Sequence, residues 1–468
     1  MEALRRIRTH VHRWIDACDS EHEQCHADKP QRYPDWVIDV KSHCLVPGEN
    51  VDRYVALSYV WKTHQQATNN TSSHPRQKML FEHNLKDFQA PGFLQKDLDS
   101  SLPRIIRDTI QLVRALGMRY LWIDCLCIVQ DAPDTSIKVG RMNEVYSSAY
   151  FTIIAAVPST LQDAMQPSKR YPYGKEPQQT PEYLYQRLQQ SEWAQRGWTF
   201  QEAILSKRVV VFVDNTIFWD CLGCIWSTSD PKEGVRQVSR IDSRPEYMYA
   251  CQRAREVNLF KPNFRTWLEL VCLYNQRRLT YPQDAIVAFS GILNELSQGF
   301  PNGFSAGLPR DYLHVALLWQ PRRPAIRRTP NANDSAQHLP TWSCFGWQCS
   351  VDPYSLRSGL AGIAHANNAE LAASWKAESI LAWPKAEGKL VRGSAESDQT
   401  LAPLLKFSTT RAFFHVSPVL HYFEDLERKS TTHRVNVHEE SQAMITNHDF
   451  SRNLLQARHD ESFHSITS

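Results

Sequence analysis

The sequence predicts an α/β protein: a mostly parallel sheet flanked by helices, followed by a mixed α+β C-terminal region. Three observations carry this expectation. Strand-like and helix-like segments alternate through the first half of the chain, as a parallel sheet requires. The strand-like segments are near-continuous apolar runs such as "RYLWIDCLCIV" and "RVVVFV", the pattern of strands covered on both faces. The chain is 468 residues long, with 42% apolar and 11% aromatic residues, enough for a sizeable core and more than one structural region.

The bulk numbers exclude several function classes. The balance of 53 basic against 50 acidic side chains leaves +3, so no global field favours nucleic acid or a membrane surface. The N-terminus, "MEALRRIRTHVHRWIDACDSEHEQC", is charged where a signal peptide needs a continuous apolar run. The longest apolar stretches, "VVVFV" and "TIIAAV", fall far short of the roughly 20 residues that cross a bilayer. Eleven cysteines at uneven spacing point to reduced thiols. A cytoplasmic chain without membrane or nucleic-acid partners is expected.

Residues 1–50 form a helical lead-in, with Leu4, Ile7, Val11, Trp14 and Ile15 on one stripe. The following "CDSEHEQC" sets Cys18, His22 and Cys25 at spacings that suit three soft ligands, with Cys44 as a conceivable fourth. Cys221 and Cys224 in "CLGC" have ligand spacing too, yet no second pair follows at finger distance. Ordinary buried thiols are the expectation, and no metal is assigned.

"RYVALSYVW" (53–61) reads as a buried strand that runs out into a polar loop, "KTHQQATNNTSSHPRQK". "LPRIIRDTIQLVRALG" (102–117) reads as a helix with Ser100 or Ser101 as cap, Pro103 in its first turn and Gly117 as its stop. Ile106, Ile110 and Val113 line its apolar side. Next, "RYLWIDCLCIVQD" is expected to be one continuous strand with Asp124 in its middle. "RMNEVYSSAY" reads as a short helix with Met142, Val145, Tyr146 and Ala149 on one side, entering a third strand at "FTIIAA".

Residues 166–192, rich in proline and glutamine, read as an insertion or long loop. "RVVVFVDNTIFWDC" reads as a hairpin turning at Asp214 and Asn215. Between 240 and 300 two amphipathic helices are expected, in "FRTWLELVCLYNQRRLT" and "QDAIVAFSGILNEL", and 319–337 is an arginine- and proline-rich exposed loop. The domain division that follows is 1–50, 51–205, an α+β extension over 206–350, a weakly patterned 351–427, and a disordered tail over 428–468.

Four blocks carry more than a generic α/β signal: "YVALSYVW" (54–61), "LPRIIRDTIQLVRALGMRYLWIDCLCIVQD" (102–131), "RMNEVYSSAYFTIIAA" (141–156) and "RGWTFQEAILSKRVVVF" (196–212). In order and wording they resemble the heterokaryon incompatibility (HET) domain of filamentous fungi. Two departures stand out: "VWK" replaces the Cys-Trp-Gly or Thr-Trp-Gly usual after the first strand, and a Trp-and-Glu pair is missing from "APDTSIKVGRM". The resemblance implies a TIR-like, flavodoxin-like fold. It also implies a role in fungal non-self recognition, programmed cell death or innate immune signalling.

TIR domains of some branches cleave nicotinamide from NAD, with a glutamate four residues after a tryptophan. "WTFQE" has that spacing, so the resemblance makes Glu202 the candidate catalytic residue of an NAD glycohydrolase and Trp198 the wall of its pocket. In a helix the two lie one turn apart on one face. Open-sheet α/β folds bind ligands beyond the carboxyl ends of their strands, where Ser58, Tyr59 and Trp61 emerge as candidate substrate contacts. Arg196 is placed to meet a phosphate. Asp124 is either a further substrate contact or the holder of a strand-end loop.

No G-x-G-x-x-G or P-loop sequence is present, so no resident cofactor is expected; NAD enters as substrate. The alternative is a non-catalytic module that associates with itself or with another signalling protein.

Overall fold

The computed structural model describes residues 2–26, 33–61, 78–97, 102–157, 160–161, 181–214, 216–228, 263–330 and 338–356. It also describes strand segments at 408–410, 414–416, 432–437, 441–446 and 463–465. The chain divides into two compact units, Met1–Thr266 with Gln276–Gly299, and Trp267–Asn275 with Phe300–Ser468.

An eight-stranded sheet organises the first unit. Its strands are β1 (Trp36–Asp39), β2 (Cys44–Pro47), β3 (Val55–Tyr59), β4 (Tyr120–Trp122), β5 (Phe151–Ala156), β6 (Arg208–Val213), β7 (Thr216–Cys221) and β8 (Ile225–Ser227). They lie in the order β2-β1-β4-β3-β5-β6-β7-β8. The inner four, β4-β3-β5-β6, are parallel. The outer pairings are antiparallel. The sheet is therefore mixed, which corrects the expectation of a mostly parallel one. The reason is connection length: β1–β2 and β6–β7 are joined by tight turns, at which His43 (φ 50°) and Asp214 (φ 47°) take left-handed backbone, and so short a link joins only antiparallel neighbours.

The inner strands are joined by helical crossovers, as parallel pairing demands. Arg104–Ala115 lies between β3 and β4, Met142–Ser148 between β4 and β5, and Pro181–Gln190 with Trp198–Ile204 between β5 and β6. The Arg104–Ala115 helix forms as expected, with Ile106, Ile110 and Val113 buried and a stop at Gly117 (φ 73°). Pro103 occupies its N-cap position without a side-chain cap, and Ser100 and Ser101 lie outside the described residues.

Sheet burial follows the period of two. All six residues of β6 are buried. Val210 and Phe212 enter a large core with Phe151, Ile153 and Ala155, while Val209, Val211 and Val213 enter a second core with Ile154, Leu184 and Trp193. The N-terminal helix, Glu2–Glu21, buries Ile7, Val11, Trp14 and Ile15 in the large core. Near its end Asp19 forms an ion pair of 2.7 Å with Arg208, whose side chain is 1% exposed. Tyr150 donates its hydroxyl to Asp19, and the Arg208 guanidinium lies over its ring at 5.0 Å.

Two local expectations fail for identifiable reasons. The run "RYLWIDCLCIV" is a strand only over Tyr120–Trp122; from Asp124 it turns into the short helix Asp124–Cys127, where the amides of Leu126 and Cys127 both return to the Ile123 carbonyl. Apolarity signalled burial there, and burial fits either structure. The insertion read over 166–192 contains the helix Pro181–Gln190, with Leu184, Tyr185 and Leu188 buried; 162–180 lies outside the described residues. The polar loop after Trp61 lies outside them as well.

The second unit takes in most of the helix Phe264–Tyr274 and two small antiparallel pairs, Phe304–Ser305 with Leu308–Pro309 and Ile326–Arg327 with Trp347–Gln348. Buried Trp267 donates to the Gly307 carbonyl at 2.9 Å. In the tail expected to lack structure, Thr432–Val437 and Ser441–Thr446 pair as antiparallel strands. Among the described residues no helix is long and apolar enough to cross a membrane.

Trp219 on β7 is fully buried against Phe151 at 6.1 Å. Trp219→Ala is expected to destabilise the first unit by about 3–5 kcal/mol through lost burial and the cavity left behind. Urea denaturation followed by far-UV circular dichroism checks it, and an unchanged midpoint contradicts this placement of β7.

Candidate active site

The parallel register brings the carboxyl ends of β3, β4 and β5 to one rim of the sheet. Ser58 and Tyr59 are the last two residues of β3, opposite Ile154 and Ala155 of β5. The strand sequence reverses direction here, since β4 lies on one side of β3 and β5 on the other, the kind of switch point at which open α/β sheets bind ligands. Asp124 follows β4 by two residues and reaches the same rim.

The helix Trp198–Ile204 supplies Glu202, buried at 5% exposure. Its entry is fixed by a buttress from farther along the chain. Gly197 donates its amide to the Arg278 carbonyl at 2.7 Å, and the Arg278 amide returns to the Gln195 carbonyl at 2.7 Å. A side chain at Gly197 would force Leu279 to shift, because a Cβ there would sit 2.4 Å from the end of that side chain. Arg277 donates to the Arg196 carbonyl at 3.2 Å and to Thr199 Oγ1 at 3.3 Å, and its guanidinium lies 4.6 Å over the Phe200 ring.

Ser58 and Glu202 meet directly. The Ser58 hydroxyl donates to Glu202 Oε2 at 2.5 Å, and the Trp193 indole donates to Ser58 Oγ at 2.7 Å. An indole N–H is only a donor, so the serine oxygen must accept from Trp193 and its own proton is free to point at the carboxylate. Tyr146 completes the enclosure: its hydroxyl donates to the Leu57 carbonyl at 3.2 Å, and its proximity to Glu202 favours the charged form of the acid.

Asp124 is the second acid. Its Oδ1 accepts the Cys125 amide at 2.7 Å and the Trp61 indole at 3.1 Å. Burial first, and the Asp124 charge second, raise Glu202 above the ordinary glutamate range to about 7, against the opposing action of Ser58, Arg196 and Tyr146. Burial likewise raises Asp124 to about 6, against the Cys125 amide, Trp61 and Arg196. The guanidinium of Arg196 therefore acts on both acids, while its Nη1 is buried without a hydrogen-bond partner. A buried guanidinium nitrogen without an acceptor, beside two acids near their protonation midpoint, suits an anionic or phosphorylated ligand.

Of the residues singled out in the sequence, Ser58, Trp61, Asp124, Arg196 and Glu202 thus belong to one electrostatic neighbourhood. Tyr59 is buried in the large core, with its hydroxyl 3.2 Å from Cys125 Sγ. Trp198 is partly buried against the same core, one helical turn before Glu202. Sequence reasoning missed Trp193 and Tyr146. Tyr146 sat on an apolar helix side, and Trp193 lay at the edge of a segment read as loop; its position three residues before Arg196 was the available signal.

Residues 54–202 match the family model described as Heterokaryon incompatibility protein (HET). This stretch is a HET domain. Its limits coincide with the site, since the match opens at the residue before β3 and closes on Glu202. No curated protein and no solved structure matches the chain.

The raised value of Glu202 fixes a sign. An acid whose folded value lies above its unfolded one binds protons on folding, so its contribution to stability is fully present at low pH and is lost as pH rises from about 4.5 through about 7. Glu202→Gln has no charge to bury. Its stability relative to wild type is expected to rise by up to roughly 3 kcal/mol between pH 4.5 and about pH 8. Paired urea titrations across that range test it, and a pH-independent difference rules it out.

Proposed function

We propose that the HET domain acts in fungal non-self recognition that ends in cell death, and that it does so by hydrolysing the nicotinamide–ribose bond of NAD. The observation that carries this reading is the Glu202 carboxyl, held by Ser58 at 2.5 Å, raised to about 7 and set beside the unpartnered Nη1 of Arg196. The inner strand order β4-β3-β5-β6 follows the second-first-third-fourth pattern of flavodoxin-like sheets, which supports the TIR-like reading of the fold.

The chemistry suits the group. As the C1′–N bond breaks, its electron pair neutralises the pyridinium nitrogen and nicotinamide leaves. The ribosyl carbon becomes an oxocarbenium-like cation that an ionised Glu202 stabilises. Water then bonds to C1′, and its proton passes to the carboxylate and on to solvent. Near neutral pH Glu202 is available in both states, as a residue that serves as carboxylate and then as proton acceptor requires. Arg196 holds a phosphate of the substrate.

The second reading is a non-catalytic module that associates with itself or with a signalling partner. The low exposure of Glu202, at 5%, its bond to Ser58 and its proximity to Tyr146 favour it, since they also describe a structural latch between β3 and its helix.

Nicotinamide release by concentrated protein separates the two. Hydrolysis predicts release by wild type, a loss of about 10²–10⁴-fold in kcat for Glu202→Gln, and a higher KM for Arg196→Ala. Equal release by wild type and Glu202→Gln, with the fold intact by circular dichroism, removes Glu202 from the chemistry. Cell toxicity that survives both substitutions supports the module.

The Ser58 hydrogen bond lowers the Glu202 value. Ser58→Ala is accordingly expected to move the acid limb of the pH–rate profile to higher pH, and an unmoved limb contradicts the coupling.

A further inference from the structure

Away from Glu202, side chains from two distant stretches of sequence converge on one point. The N-terminal helix carries Cys18 in its last turn; the His22 amide closes on the Cys18 carbonyl at 3.1 Å, and the Cys25 amide closes on the His22 carbonyl at 2.9 Å. Successive turns therefore present Cys18, His22 and Cys25 on one side. Cys221, the last residue of β7, arrives from the sheet. One ligand atom from each of Cys18, His22, Cys25 and Cys221 lies within 4.8 Å of every other, and all four residues are buried.

We propose that these four residues bind a structural zinc ion that fastens the N-terminal helix to the β7–β8 hairpin.

Geometry and ligand chemistry both support it. Zinc–sulfur bonds of about 2.3 Å and zinc–nitrogen bonds of about 2.0 Å place the corners of a tetrahedral centre about 3.5–3.8 Å apart. Cys221 Sγ lies 3.4 Å from His22 Nδ1, close to such an edge. Three thiols and one imidazole are a soft donor set that selects zinc over magnesium or calcium. Burial of every ligand leaves no open coordination position, the mark of a structural centre.

The surroundings keep the imidazole in place: its ring stacks on Trp226 at 5.7 Å with an 18° tilt. At Gly223 a Cβ would fall 2.5 Å from the His22 ring, so the turn after β7 needs a residue without one.

Cys44, the fourth ligand the sequence suggested, is not in the cluster. It sits on β2, buried beside Asp39 and Arg119. The spacing that looked too sparse, Cys221 and Cys224, supplies the missing ligand because the sheet edge packs on the helix end. Cys224 Sγ lies 3.8 Å from Cys221 Sγ and 3.9 Å from His22 Nδ1, outside the quartet.

The full chain, purified under reducing conditions, is expected to hold one zinc per chain by elemental analysis. Replacement with cobalt(II) chloride is expected to give the intense visible bands of a tetrahedral thiolate centre. Cys18→Ser and Cys221→Ser are expected to lose the metal and melt at lower temperature, whereas Cys44→Ser and Cys224→Ser retain it. A strong chelator is expected to lower the melting temperature of wild type and leave that of Cys221→Ser unchanged.

Four results overturn the proposal: wild type that takes up neither metal while correctly folded, a weak six-coordinate cobalt spectrum, a disulfide among these cysteines in protein from reducing cells, or metal lost in Cys224→Ser but kept in Cys221→Ser. Should the serine variants fail to fold, the metal content and cobalt spectrum of wild type decide alone.

Discussion

The hydrogen bond from Ser58 to Glu202 joins a parallel strand to a helix 144 positions away in the sequence, and the rest of the site is arranged so that it can form. It requires a small hydroxyl at the carboxyl end of β3, where a larger side chain would displace Trp193. It requires a helix that starts at Trp198 and not a turn later, so that Glu202 falls beneath the strand end. Gly197 and the Arg277–Leu279 segment fix that start, the first by leaving room and the second by returning backbone hydrogen bonds. The parallel order of the inner strands then gathers Asp124 onto the same rim.

Electrostatics sets what this geometry can do. Two carboxyls share the site with one guanidinium, and a single positive charge cannot fully offset both acids out of water. The desolvation of Glu202 outweighs the bond from Ser58, the proximity of Tyr146 and the charge of Arg196, so protonation is drawn toward neutral pH. Had those prevailed, Glu202 would be a permanently ionised strut. Because burial prevails, it is an acid whose proton is exchangeable under ordinary conditions.

Much of this was legible in the sequence, and the residues show why. Asp124 stood out as an acid inside an apolar run, Ser58 by its place at the end of a buried strand, and Glu202 by its four-residue step from Trp198, and a buried polar group needs a partner. The strand–helix alternation disclosed the parallel inner sheet, and the Asp214 turn disclosed the β6–β7 hairpin. Tyr146 and Trp193 escaped notice because their rings serve the core while one polar atom of each serves the site, and a pattern of apolarity records only the ring. The helix at Asp124–Cys127 escaped because every residue after Asp124 is buried, which removes the period that tells helix from strand.

The N-terminal helix illustrates a contact that no local pattern announces. Asp19 is three residues short of His22, and the two face different partners: Asp19 pairs with Arg208 of β6 and accepts from Tyr150 just before β5, while His22 lies against Cys221 of β7. A helix held through its apolar stripe alone can slide along the sheet, because hydrophobic contact is not directional. The Arg208–Asp19 ion pair and the His22–Cys221 contact are directional and point to adjacent strands, so together they fix both the axial position and the rotation of the helix end. Those strands share the sheet with β3. The helix end is thereby fastened to the same framework that carries Ser58, through groups that make no bond to Glu202.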